Sequence, residues 1–558
     1  MKEGIFILLV ECSNVKKYFG QRLIIDIKRL SLYSEDRIGI VGANGVGKTT
    51  LLKLLSKQME PDEGWVKLYG TFSFMSQLEP PEQRIIKQEL AAKFKVPEVY
   101  REELSGGEKT RFKLAVCLGQ DSAMIFADEP TSNLDMEGIT LIERYFAEYP
   151  GALFLVSHDR YLLDRLCTKI LEIEDGQIKI YPGNYSDYKE QKVLERARVE
   201  FEYEQYIKEK RRLERVKLEL KEKTRTMRKT PKRMGNSEAR LHKMGNQKAK
   251  ANLDKTRKSV ESRIQHLEPK EKPKKLERVK FDIKTEQEAW SRILVEGKDL
   301  NKAYGSKVIF RDSELQIEKA AKIALIGPNG CGKSTLLKMI IKGDSVRIAP
   351  SARIGYFAQD LQGLKENASI LENVLEESIF DENFVRILLA RLLFRGEAVN
   401  KKVSVLSGGE RVKVALAKII CQDYNLLLLD EPTNYLDINS LEVIEEALQN
   451  YKGALLFVSH DRSLIRSVAN QILTIEGNRL KLFRGTYEEY LAQQNRDVNK
   501  EKEDLEQEVF ILQNRLAEVI SRISLATPKD NVEELDMEYK AILTQLKRLK
   551  EQLESYKQ

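Results

Sequence analysis

Paired cysteines, clustered histidines and long apolar runs are what this sequence lacks. Its five cysteines, at 12, 117, 167, 331 and 421, fall at no paired spacing, and none of the four histidines accompanies them. That excludes a zinc framework and a disulfide scaffold, and fits a reducing cytoplasmic setting. No apolar stretch approaches the roughly 18 residues that a membrane-spanning helix needs. The longest candidates, 5–10 and 426–429, read as buried strands. The amino-terminal IFILLV is too short for a signal-peptide core and meets Glu11 at once, so no export signal is expected. What the chain does have is room for roughly three or four domains, 42% hydrophobic residues to build their cores, and 32% charged residues that imply long exposed helices.

The charge is unevenly placed. Net charge is +8 overall, yet Lys221 to Val260 hold fourteen Lys/Arg against three Asp/Glu, or +11, which leaves −3 for the other 518 residues. So concentrated a basic segment is the electrostatic footprint of contact with a nucleic-acid backbone. The bland alternative is a solvated helical face, and the flanking sequence decides between them.

That flanking sequence is a repeat. GANGVGKTT (42–50) recurs as GPNGCGKST (327–335), LSGGE (104–108) at 406–410, ADEPTSNLD as LDEPTNYLD, and VSHDR ending at Arg160 again ending at Arg462. The offset is 302 residues from LSGGE onward and 285 at the glycine-rich loops, so the second copy carries seventeen extra residues in between. Each loop follows a strand ending (GIVG, ALIG) and precedes a helical TLLK, the setting in which GxxxxGK[ST] cradles phosphates. Backbone N–H groups of Gly42, Ala43, Asn44, Gly45, Val46 and Gly47, and of Gly327, Pro328's neighbours Asn329 and Gly330, Cys331 and Gly332, then face the phosphates of ATP at a helix N-terminus. Lys48 and Lys333 are placed to bridge the β and γ phosphates, with Thr49, Thr50, Ser334 and Thr335 opening the helix; the hydroxyls of Thr49 and Ser334 reach Mg2+. Cys331 reads as a small tolerated side chain. The aromatics Tyr18 and Tyr304 precede the loops by 24 and 23 residues and join the expected ATP-binding set.

MIFAD and LLLLD read as buried strands that deliver carboxylates at their C-terminal ends, where open α/β sheets bind ligands. Asp128 and Asp430 are then positioned to hold Mg2+ through water, and Glu129 and Glu431 to act as general base or water-positioning group at the γ-phosphate.

LSGGE, DEP, the following SNLD and NYLD, and the histidine after an apolar strand together resemble the nucleotide-binding domains of ATP-binding cassette (ABC) proteins. The resemblance implies that Ser105, Gly106, Gly107 and Ser407, Gly408, Gly409 bind the γ-phosphate of ATP held by the opposite cassette. It implies that Gln77 and Gln359 sense Mg2+ and water, and that His158 and His460 are switch histidines. ATP would then join the halves and hydrolysis would part them, in a chain that works as a monomer with intramolecular cassette pairing. SNLD and NYLD depart from the family's usual Asn-His-Leu-Asp, so cross-talk between the two sites is expected to be asymmetric.

Two cassettes in one chain, joined by charged helix and without a membrane domain, resemble the ABC-F class that works on the ribosome. The division expected is an α/β chain with an ABC ATPase domain at 1–188, a basic helical hairpin linker at 189–285, a second ATPase domain at 286–495 and an antiparallel coiled coil at 496–558. Leu213, Val216 and Leu220 sit at helical spacing, Pro231 and Gly235 break the helix, and Asn246 to Ile264 return it. The irregular tip, 224–240, offers Arg225, Arg228, Lys229, Lys232, Arg233 and Arg240 to phosphates, with Met227 and Met234 packing against a base or within the hairpin.

The resemblance is to long-linker members that protect the bacterial ribosome from antibiotics. It implies entry at the tRNA exit site, a linker directed to the peptidyl-transferase centre, and contacts with 23S rRNA and P-site tRNA. Only 28 positions separate Gln77 from Ser105, which leaves no space for the arm that several housekeeping members carry. A housekeeping translation-rescue factor, the ATPase subunit of a drug exporter and a DNA-repair ATPase remain the alternatives; the basic hairpin speaks against an exporter subunit, and two whole cassettes against the repair type. Beyond the second cassette, Leu505, Val509, Leu512, Leu516, Val519 and Ile523, then Leu535, Tyr539, Ile542, Leu546, Leu549, Leu553 and Tyr556 across Thr527-Pro528, give the coiled-coil spacing.

Overall fold

A computed structural model of the chain describes residues 7–81, 83–226, 236–270, 291–358, 363–524 and 532–555. Five-residue strands with every side chain buried form the centre of each half: Met124–Asp128 and Ala152–Val156 in the first, Leu426–Asp430 and Ala454–Val458 in the second. Continuous apolar runs of this kind suit a parallel sheet covered on both faces. In the first half they pair in parallel with Phe72–Met75, Arg37–Val41 and Lys169–Glu174, and Gln177–Pro182 closes antiparallel on the last. The second half repeats the order as Ile354–Phe357, Leu426–Asp430, Ala454–Val458, Lys322–Ile326, Gln471–Glu476 and Arg479–Arg484.

A long antiparallel pair flanks each sheet, Leu8–Phe19 with Arg22–Tyr33 and Ile293–Tyr304 with Lys307–Glu318. The first pair joins its main sheet through Asp26 opposite Gln177, making nine strands. The second belongs to a separate three-stranded sheet and is tied to the main one by Arg311 N–H to Asn478 O at 2.9 Å. The apolar run expected as a strand at 5–10 is seen as a strand from Leu8; residues 1–6 lie outside the described set.

The seventeen extra residues of the second half have a structural form. Between its strand Ile354–Phe357 and the helix at LSGGE stand helices Ile370–Leu375 and Glu382–Arg391 and two 3-10 turns, where the first half has the single helix Gln88–Phe94. Phe380 and Phe384 stack there with centroids 4.0 Å apart, packed against the second core.

The linker forms two helices, Tyr185–Thr226 and Asn236–His266. Lys217 pairs with Glu261 at 3.2 Å and Glu202 with Lys270 at 3.3 Å, so the second helix runs back along the first, with Leu213 and Val260 buried between them. The returning helix starts ten residues before the expected Asn246, and the first continues through Thr226, so the irregular tip expected at 224–240 is shorter than that. Glu238, Ala239, Arg240 and Leu241 are strong helix formers, and their summed preference outweighs the cost of about 1 kcal/mol for Gly245 inside the helix. Arg225 is exposed near the end of the first helix and Arg240 lies on the second. Met227, Arg228, Lys229, Lys232, Arg233 and Met234 fall outside the described residues, as do Pro231 and Gly235.

At the C-terminal end, helices Tyr487–Ser524 and Val532–Ser555 pack through Val509, Val519, Ile542 and Leu546, with Leu512, Leu516, Tyr539, Leu549 and Leu553 alongside. Arg515 adds a pair to Glu538 at 2.9 Å. The first of these helices begins at Tyr487, whose ring is buried in the second core, nine residues ahead of the boundary expected at 496. Thr527, Pro528 and Tyr556 lie outside the described residues. Among the described residues no helix is long and apolar enough to cross a membrane.

Candidate active sites at the cassette interface

Each glycine-rich loop leaves its buried strand and turns into a helix, Lys48–Leu55 or Lys333–Lys342. The turn needs glycine at its last position. Gly47 and Gly332 adopt φ of 109° and 114°, and a Cβ would lie 2.6 Å from Ile24 Cγ2 or 2.3 Å from Ile309 Cγ2. Lys48 Nζ donates to the loop carbonyls of Gly42 and Ala43 at 2.9 and 3.3 Å, and Lys333 Nζ to those of Gly327 and Pro328 at 2.8 and 3.1 Å. Each ammonium thus lies inside the loop's concave face. Cys331 is half-buried, and that burial raises its pKa, which keeps it a thiol.

Behind the loops stand the strand-end carboxylates. Thr49 Oγ1 donates to Asp128 Oδ2 at 2.7 Å, and Ser334 hydrogen-bonds Asp430 in the second half. Burial raises both aspartates, and the neighbouring hydroxyls and lysines oppose it. Glu129 and Glu431, the next residues, adopt left-handed backbone with φ of 50° and 49°. For a non-glycine residue this costs on the order of 1–3 kcal/mol, and the strain recurs at equivalent places in both halves, as it also does at Asn133 and Tyr435. Glu129 Oε1 lies 3.2 Å from His158 Nε2, and Glu431 Oε1 3.3 Å from His460 Nε2. Glu129 Oε1, His158 Nδ1 and both ring nitrogens of His460 are buried with no hydrogen-bond partner. Orphaned polar atoms around a lysine-lined loop fit a phosphate group that completes them.

Burial lifts the Glu129 carboxyl to about 8 and Glu431 to about 7, and pushes the imidazoles of His158 and His460 down to about 3 and about 4. The signs set a pH window. The raised carboxyls contribute stability that is complete below 4.5 and lost as pH rises through 7 to 8; the depressed imidazoles contribute stability present above 6.5 and lost as pH falls toward 4. The two effects cancel between 4.5 and 6.5, so above 6.5 only the glutamates act. Thermal unfolding of the nucleotide-free protein is therefore expected to drop in Tm as pH rises from 6.5 to 8, and the fall should flatten in E129Q/E431Q.

The two halves meet head to tail. Asn44 Nδ2 of the first loop donates to Tyr435 O at 2.8 Å; in the other direction, Asn329 donates from its backbone to Asp135 Oδ2 at 3.1 Å and from its side chain to Asn133 O at 3.2 Å. The LSGGE helices, Gly106–Gly119 and Gly408–Cys421, therefore begin opposite the other half's loop. Ser105 and Ser407 cap them, each in a reciprocal box with Glu108 or Glu410. A Cβ at Gly409 would lie 2.7 Å from Tyr435 O and 3.4 Å from Asn44 Nδ2, so only glycine fits there. Gly106, Gly107 and Gly408 leave further backbone N–H groups at these helix starts.

The two aspartates that follow have different partners. Asp135 accepts Asn329 N–H from across the interface, whereas Asp437 takes Lys413 Nζ at 2.6 Å from its own half. Tyr18 is the penultimate residue of its long strand and Tyr304 the last, Tyr304 being exposed, and Gln77 is exposed, its carbonyl accepting from Lys113 at 3.0 Å. Gln359 lies outside the described residues. Sequence reasoning missed a set of bridges: Arg160 to Glu445 at 2.6 Å, Arg462 to Glu143 at 3.1 Å and Arg462 to Thr140 at 2.7 Å, all across the interface. The signal was there, because Arg160 and Arg462 end both VSHDR motifs and Glu143 and Glu445 share the 302-residue offset.

The ABC transporter family model matches residues 26–92 and 310–434. The chain is 32% identical to the Bacillus subtilis protein named ribosome protection protein VmlR, over 98% of this chain and 99% of that one. It is 31% identical to the Staphylococcus epidermidis erythromycin resistance ATP-binding protein MsrA, over 81% of this chain and 94% of that one. Among solved structures, the archaeal ribosome recycling factor aABCE1, determined with a ribosomal stalk protein, superposes with a TM-score of 0.57 at 21% identity, covering 86% of this chain and 92% of that one. That likeness is one of fold.

Proposed function

This chain belongs to the ABC-F family of tandem-cassette ATPases, and from that premise we propose that it binds the bacterial ribosome when its cassettes have closed on ATP. In the cytoplasm it enters the tRNA exit site, directs its linker tip at the peptidyl-transferase centre, shields the ribosome from antibiotics, and leaves on hydrolysis. The observation that carries the reading is the joining of two elements in one chain: reciprocal loop-to-signature contacts between the halves, and a helical hairpin leading to a segment of net +11. The names of the two bacterial relatives, ribosome protection and erythromycin resistance, supply the target.

The chemistry assigned to the chain's residues follows from their placement. The loop N–H groups and Lys48 or Lys333 hold the triphosphate, and Ser105 to Gly107 or Ser407 to Gly409 offer donors to the γ-phosphate from the opposite half. Glu129 and Glu431 orient the attacking water and accept its proton, a task suited to carboxyls raised toward neutrality. His158 and His460, neutral at pH 7, accept or donate at the γ-phosphate without adding charge. The hydroxyl and carboxylate oxygens of Thr49 with Asp128, and of Ser334 with Asp430, form the all-oxygen donor sets that suit Mg2+, with Gln77 and Gln359 as further oxygen donors. Mg2+ held there would supply positive charge to the phosphoryl oxygens.

The test is co-sedimentation of E129Q/E431Q with bacterial ribosomes. ATP-dependent pelleting with the large subunit is expected. In cells, alanine at Arg225, Arg228, Lys229, Lys232, Arg233 and Arg240 should abolish antibiotic protection while ATPase activity persists. Failure of the folded, ATP-bound protein to pellet overturns the reading.

A further inference from the structure

Because the halves are related by a 302-residue offset, each position at one helix root has an equivalent position at the other. The linker helix Tyr185–Thr226 starts with Tyr185, Tyr188, Lys189 and Lys192; the C-terminal helix Tyr487–Ser524 has Tyr487, Tyr490, Leu491 and Gln494 at the equivalent places. The tyrosines are retained and the lysines are replaced. Two of their three carboxylate partners differ in step, Glu442 being equivalent to Thr140 and Glu172 to Thr474, while Glu174 is retained as Glu476.

At the linker root, Lys189 pairs with Glu442 across the interface, and the Tyr185 hydroxyl donates to the same carboxylate at 3.3 Å. Lys192 bridges Glu172 at 2.6 Å and Glu174 at 3.1 Å within the first half, and the Tyr188 hydroxyl donates to Glu172 at 2.8 Å. The root is thereby tied to both cassettes. At the C-terminal root the equivalent place is a cavity of about 470 Å³, lined by Met136, Thr140, Tyr161, Tyr487, Tyr490 and Leu491 among others.

Glu442 is also mechanically connected to the first nucleotide loop. It sits on the helix Ile438–Asn450, which Asp437 caps, and two residues before that cap Tyr435 O accepts from Asn44. We propose that Lys189 and Glu442 form a clamp that engages when the cassettes close and fixes the linker helix to the second cassette, and that releases when they part. Among the described residues the C-terminal helix has no such pair across the interface, so closure positions the basic hairpin. Cassette pairing does not depend on the clamp, because Arg160–Glu445 and Arg462–Glu143 bridge the halves independently. The consequence for ribosome binding rests on the function proposed above; the clamp itself is tested without ribosomes.

The measurement is pulsed electron spin resonance in the E129Q/E431Q protein with Cys331 changed to serine, the other four cysteines being buried. One pair of labels joins the linker helix to the second cassette (Leu218→Cys, Lys401→Cys), and another reports the separation of the cassettes. ATP is expected to narrow both distance distributions. In K189E or E442K the linker pair should lose its narrowing, with the docked population down about fivefold, the scale of one half-exposed ion pair, while the cassette pair still narrows. The double exchange K189E/E442K should restore it. Unchanged linker distances in both single variants, or failure of the double exchange to restore them, overturns the clamp. Should the clamp hold and ribosome pelleting fail, the linker's target is what falls.

Discussion

E129Q/E431Q should hydrolyse ATP about 10²- to 10⁴-fold more slowly than the parent, the usual contribution of a positioned base, while binding ATP as well or better. Both carboxyls stand one residue beyond the strand-end aspartates Asp128 and Asp430, and both are held at left-handed φ. Glutamine keeps the shape and the donor-acceptor reach but cannot take the proton. It also removes a group that must otherwise ionise in a buried place, so the ATP-bound closed form should gain Tm. Steady-state phosphate release, equilibrium binding of a fluorescent ATP analogue and a thermal scan with ATP check the three parts. Weakened ATP binding would show that these side chains hold the nucleotide rather than the water. The single variants separate the halves: because Asp135 and Asp437 accept hydrogen bonds from different sides of the interface, the two losses are expected to differ in size.

The chemistry-bearing residues were legible in the sequence because their physics is local. A phosphate loop needs glycine at a left-handed turn, and GxxxxGK[ST] writes Gly47 and Gly332 into the chain directly. Buried parallel strands need unbroken apolar runs, which is why MIFAD and LLLLD located Asp128 and Asp430. Contacts between the halves are not local. Arg160 finds Glu445 only after two domains have folded and docked, and its motif was read for the histidine beside it. The Lys189–Glu442 pair is less legible still, since its partners lie 253 residues apart, one at the expected start of the linker and one on a helix of the second cassette. The linker returns at Asn236 rather than Asn246 because the helix formers from Glu238 to Leu241 start the helix sooner after the break expected at Pro231 and Gly235.

Lys413→Met should be the most destabilising single change proposed, at about 3–5 kcal/mol, because it leaves a buried charge without its partner. Lys413 is 5% exposed and Asp437 is 0% exposed, with 2.6 Å between Nζ and Oδ2. Burial alone would raise Asp437, but the Lys413 charge and hydrogen bonds win and hold it below the usual range. Its other oxygen accepts from Ser440 N–H at 2.9 Å and so caps the helix Ile438–Asn450. The same aspartate therefore joins the LSGGE helix, on which Lys413 lies, to the helix that bears Glu442. Hydrogen exchange should report faster opening in both helices together. The sign with pH is distinctive. In the parent, the depressed carboxyl contributes stability above 3.8 that is lost only as pH falls through its lowered value. In the variant, an unpaired buried carboxyl is raised instead, so its penalty shrinks as pH falls from 7 toward 4 and the two proteins converge. K413M/D437N, which removes charge and partner together, should recover much of the loss at pH 7. A K413M penalty that is small and independent of pH would mean that the aspartate finds water or another cation when its lysine is gone.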